Sequence, residues 1–74
     1  MARILAKVDR RCGCDVFAVA FLDRQGRDMV TGWTRYAGEA AAWLASAEAG
    51  QWVTSGRPGP MMPECLHGVR EVSP

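Results

Sequence analysis

The sequence predicts a single α+β domain spanning residues 1–74, built as an antiparallel sheet of three to five strands with one helix packed on one face. Three observations carry that expectation. The first third of the chain alternates or runs apolar at strand lengths, residues 40–47 switch to a helical period, and no repeat or linker divides the chain.

Ile4, Ala6 and Val8 alternate with Arg3, Lys7 and Asp9, which reads as a first strand blurred by Leu5. Val16 to Leu22 is apolar at every position and reads as a central strand covered on both faces. Asp23-Arg24-Gln25-Gly26 supplies hairpin turn chemistry, and Met29 to Thr34 reads as the third strand of a β-meander. Ala40, Trp43, Leu44 and Ala47 then fall at i, i+3, i+4 and i+7, the stripe of an amphipathic helix over Gly38 to Ala49. Glu39 suits its first turn and Gly50 its end. Gln51 to Thr54 reads as a short strand, Ser55 to Pro63 as a loop, and Val69 to Val72 as a terminal strand.

Size and charge limit the function. A chain of 74 residues leaves a small core, for which a metal, disulfides or a second copy often compensates. The formal net charge is +1, too little to draw the whole chain onto an anionic surface. The start, Met1 to Lys7, meets charges before any apolar run of signal-peptide length, and Val16 to Leu22 is far short of a membrane span. Together with three cysteines, an odd number, this gives a cytoplasmic expectation.

One constellation carries chemistry. Cys12-Gly13-Cys14 occupies the predicted first turn, and Cys65-Leu66-His67 follows the proline-rich loop. Cys12, Cys14, Cys65 and His67 are all the cysteines and histidines of the chain, and they form a complete Cys3His set for structural zinc. The one-residue spacing is tighter than in common zinc knuckles, and a disulfide between the pairs or plain reduced thiols are the alternatives. Cys65 and His67 also resemble a nucleophile and base, but no orienting group or oxyanion hole accompanies them.

These residues lead to a non-enzymatic protein-binding module that acts by occupying a partner's surface. By analogy in kind this would be a phage or mobile-element inhibitor of a host system, of the anti-CRISPR type. The motive is the second sheet face: if Phe17, Val19 and Phe21 lie under the helix, Val16, Ala18, Ala20 and Leu22 need cover from the tail, a second copy or a partner. Trp33, Trp52, Tyr36, Arg35, Met61 and Met62 are the candidate partner contacts. Trp33 and Trp52 have a core reading as well, and the two methionines a gap-filling one. The first alternative is a small zinc-containing nucleic-acid-binding protein. Against it, Arg10 and Arg11 are expected at one end of the sheet and Arg24 and Arg27 at the other, each group beside an aspartate. The second alternative is a Cys-dependent enzyme or redox protein.

Overall fold

The computed structural model describes residues 1–51, 53–63 and 67–72. Five strands and one helix follow in the order β1 (Arg3–Asp9), β2 (Cys14–Leu22), β3 (Asp28–Val30), α1 (Ala37–Glu48), β4 (Gly59–Pro60) and β5 (Arg70–Val72). They form a five-stranded sheet in the order β4-β3-β2-β1-β5, and every pairing is antiparallel. The α+β class, the meander, the single helix and the terminal strand follow the sequence expectation.

Each turn has an identifiable chemical cause. At the β1–β2 turn the Asp9 carbonyl accepts from the N–H of Gly13 at 2.8 Å, and Asp9 Oδ1 accepts from the N–H of Arg11 at 3.0 Å. Gly13 sits at φ 69°, a left-handed conformation that glycine adopts without steric cost. At the next turn Asp23 Oδ1 accepts from the N–H of Gln25 and Arg27, while Oδ2 accepts from Arg27 Nε at 2.8 Å. The helix ends in a Schellman arrangement: Gly50 N–H donates to the Ala47 carbonyl and Gln51 N–H to that of Ser46.

Register fixes the two faces. Ile4 opposes Val19 and Ala6 opposes Phe17, so these residues share the face on which α1 lies. There Ile4, Val19, Phe21, Met29, Ala40, Trp43, Leu44 and Val53 form one buried cluster. Each large aliphatic or aromatic side chain buried in it contributes about 1.5–3 kcal/mol. The helix was expected over Gly38 to Ala49 and covers Ala37–Glu48.

Two elements depart from the expectation. The third strand stops at Val30 instead of running to Thr34. Ala20 pairs with Val30 but Phe17 bridges Thr34, so one extra residue is inserted on the β3 side. This is a β-bulge. Thr31 holds it: its N–H donates to the Val19 carbonyl at 3.0 Å, and its hydroxyl oxygen accepts from Val19 N–H at 2.9 Å. The threonine side chain thus replaces a ladder carbonyl. Close approach of a second loop backs the bulge, since Gly32 N–H donates to the Gly56 carbonyl at 2.6 Å. Beyond the helix, Gln51, Val53 and Thr54 are not in a strand, while Trp52 lies outside the described residues. The strand in that region is instead Gly59–Pro60, an edge position where proline's missing N–H costs no ladder bond.

The second face is not open. Leu5, Val16, Ala18 and Ala20 point away from α1, yet all four are buried. The chain leaves β4 at one edge of the sheet and re-enters β5 at the other, four strand spacings or about 19 Å away. His67, within that connection, lines a concavity with Lys7, Val16 and Trp33, which puts it on the second face. Of the three covers expected for this face, the tail, a second copy or a partner, Val16, Ala18 and Ala20 need neither of the last two, since they are buried within the chain itself. Only the two ends of that strand's outward face, Cys14 and Leu22, are exposed, Leu22 at 51%.

Candidate functional site

The structural feature that gathers chemistry lies at the end of the sheet carrying the β1–β2 turn. There an open concavity of about 690 Å³ is lined by Lys7, Asp9, Arg10, Arg11, Trp33 and Arg35, with Val16 at its floor. Four cations therefore surround a single carboxylate. The sequence reading placed Arg10 and Arg11 at this end correctly but expected no gathering of basic residues. The bulge is what changes the outcome. It shifts the chain by one residue after Val30, so that Thr34 bridges Phe17 on the helix face and Trp33 turns to the second face with Lys7 and Val16. Arg35 follows to the same rim.

Each cation has a distinct setting. Lys7 Nζ lies 4.3 Å from the centroid of the Trp33 ring, a cation–π contact that fixes the charge over the indole. Arg35 reaches Asp9 Oδ2 at 3.9 Å, the outer limit of an ion pair, and its side chain is 61% exposed. Asp9's other oxygen is already taken by the N–H of Arg11. Arg10 and Arg11 are exposed, and neither makes an ion pair among the described residues. Nearby, Arg70 pairs with Asp15 at 3.3 Å. At the opposite turn Arg27 is committed to Asp23, whose carboxyl is held below the ordinary carboxylate range, chiefly by the Arg27 N–H.

The predicted metal set is described only in part. Cys12 and Cys14 are exposed free thiols at the same turn, and Cys14 Sγ donates to the Cys12 carbonyl at 3.5 Å. The hydrogen bond with Cys12 is the largest of the influences that raise the Cys14 thiol above its ordinary range. His67 is exposed and lines the concavity; Cys65 lies outside the described residues. Among the described residues, no three of His, Cys, Asp and Glu come close enough to hold a metal.

The predicted partner contacts divide. Trp33 and Arg35 come together in the concavity. Tyr36 is exposed, as is Met62, whereas Met61 is half-buried beside the edge strand with its N–H on the Asp28 carbonyl. Trp43 is core, its indole N–H donating to Ser55 Oγ at 3.0 Å. Trp52 lies outside the described residues. Sequence reasoning missed Lys7, Arg10 and Arg11 as members of one surface. Their signal was the alternation that puts Lys7 and Val16 opposite one another, but the path of Trp33 and Arg35 depends on the bulge.

Among the described residues no helix is long and apolar enough to cross a membrane. No protein-family model, curated protein or solved structure matches the chain.

Proposed function

We propose that this protein is a non-enzymatic binding module that acts by occupying a surface of a protein partner, with the basic concavity as its contact face. The observation that carries this reading is the convergence of Lys7, Arg10, Arg11 and Arg35 around Trp33. Arginine and tryptophan are the side chains that most often anchor interfaces, and here they share one rim. Cys65, the nucleophile of the alternative dyad with His67, lies outside the described residues. A photo-crosslinking residue at Arg11, used in a lysate of the cells that carry the protein, should capture a discrete protein that the same residue at Ala45 on α1 does not. Equal capture from both positions, or from neither, would remove the concavity from the account.

The same reading includes a structural zinc held by Cys12, Cys14, Cys65 and His67. Its support is that His67 lines the same concavity as Arg11, the sequence neighbour of Cys12, while strand alternation puts Cys14 on the face of Val16. Zinc there would tie the β4–β5 connection to the turn and so steady the rim. Native mass spectrometry of reduced protein should find one zinc that is lost on denaturation. Metal-free protein indifferent to chelator would refute the staple and leave the contact face standing.

A further inference from the structure

If the concavity is the contact face, its charge pattern names the chemistry of what it contacts. We propose that it docks a carboxylate-rich segment of a protein partner, with Arg10, Arg11 and Arg35 as the contacting cations and Lys7 as a preset charge over Trp33.

The charges are available. Arg10 and Arg11 are exposed and outside any described ion pair, and Arg35 holds Asp9 only at 3.9 Å. A partner carboxylate at ordinary hydrogen-bond distance would outcompete that contact for the Arg35 guanidinium. Asp9 then keeps Arg35 turned toward the rim in the unbound protein without neutralising it. The planar arginine fork donates two parallel hydrogen bonds to a carboxylate, which a lysine cannot do. Three of the four cations here are arginines.

The same pattern disfavours a nucleic-acid strand. The cations make a cluster around Asp9, whereas a phosphate backbone calls for a track of them and would meet that carboxylate. Single-strand binders also present an aromatic face to the bases. The Trp33 ring is half-buried and carries Lys7 over its face. Helix α1, the other element able to reach a groove, contains Glu39 and Glu48 and no basic residue.

Fluorescence anisotropy with a labelled octa-glutamate peptide tests this, with an octathymidylate of similar charge as comparator, both at low salt. The peptide should bind more tightly than the oligonucleotide. Arg10→Glu/Arg11→Glu should weaken the peptide by about tenfold or more, since it reverses two contacting charges. Arg24→Glu/Arg57→Glu removes the same net charge elsewhere and should leave binding within about twofold. All four positions are exposed, and far-UV circular dichroism confirms that each variant is folded. Tighter binding of the oligonucleotide would overturn the proposal in favour of a nucleic-acid surface. Equal weakening by both double variants, or no peptide binding at low salt, would overturn it as well. Failure here is separable from failure of the contact face, because crosslinking from Arg11 succeeds with a neutral partner segment too.

Discussion

Replacing Thr31 by valine keeps the shape of a buried side chain and removes one hydroxyl. That hydroxyl accepts from Val19 N–H at 2.9 Å and donates to the Gly32 carbonyl at 3.0 Å, inside the core of the sheet. In Thr31→Val the Val19 amide is left buried without an acceptor, which costs about 1–3 kcal/mol, and the bond to Gly32 adds about 0.5–1.5 kcal/mol. A total near 3 kcal/mol is a large part of the stability available to a chain of 74 residues. The melting temperature should fall by roughly 10–20 °C. Thr31→Ser keeps the hydroxyl and loses one methyl, for about 1 kcal/mol. Urea titrations followed by circular dichroism measure both. Because the bulge aims Trp33 at Lys7, Thr31→Val should also change the near-ultraviolet tryptophan signal in the native baseline. If Thr31→Val stayed within about 0.5 kcal/mol of the parent, or Thr31→Ser were equally damaging, the hydroxyl would not be what holds the bulge.

Three further outcomes follow from the same contacts. A Cβ at Gly56 would lie 3.0 Å from both Cβ and Cγ2 of Thr31 and 3.2 Å from Trp43 Cε2, so Gly56→Ala should cost about 1–3 kcal/mol in urea titration. Leu5 is buried on the face opposite the helix while Leu22 is half exposed. Leu5→Ala should therefore cost about 2–4 kcal/mol and Leu22→Ala under about 1 kcal/mol; similar small losses would mean that the second face is open after all. For Asp23, whose carboxyl is held low chiefly by the Arg27 N–H, the folded pKa lies below the unfolded one. Its stabilising effect is present above the unfolded carboxyl range and is lost as pH falls through the folded value. The stability gap between the parent and Asp23→Ala should accordingly be full near pH 6 and shrink below about pH 4, as read from urea midpoints.

What could be read from the sequence was whatever local pattern determines. Alternation at Ile4 and Ala6, the apolar run at β2 and the stripe through Trp43 and Leu44 each mark buried positions, and the folded chain follows them, while Val8 departs from the pattern at 53% exposed. The bulge was not legible, because a threonine hydroxyl standing in for a carbonyl leaves no period in the sequence. With it went the third strand's end and the aim of Trp33 and Arg35. Edge strand β4 was hidden in a Pro- and Gly-rich stretch that reads as loop until a neighbouring strand is known. Burial of Leu5, Val16, Ala18 and Ala20 on the second face is likewise a long-range fact that no local pattern announces. For the candidate site, Trp33 and Arg35 were identified singly, and tertiary structure alone supplied the cations that surround them.

The most direct test of the central claim is a titration of nitrogen-15-labelled protein with the octa-glutamate peptide, followed by amide and indole chemical shifts. The account predicts shifts concentrated at Lys7, Asp9, Arg10, Arg11 and Arg35, together with the indole N–H of Trp33. Shifts centred on the Asp23–Arg27 turn or on α1, or none at low salt, would contradict the assignment of the basic concavity as the contact face.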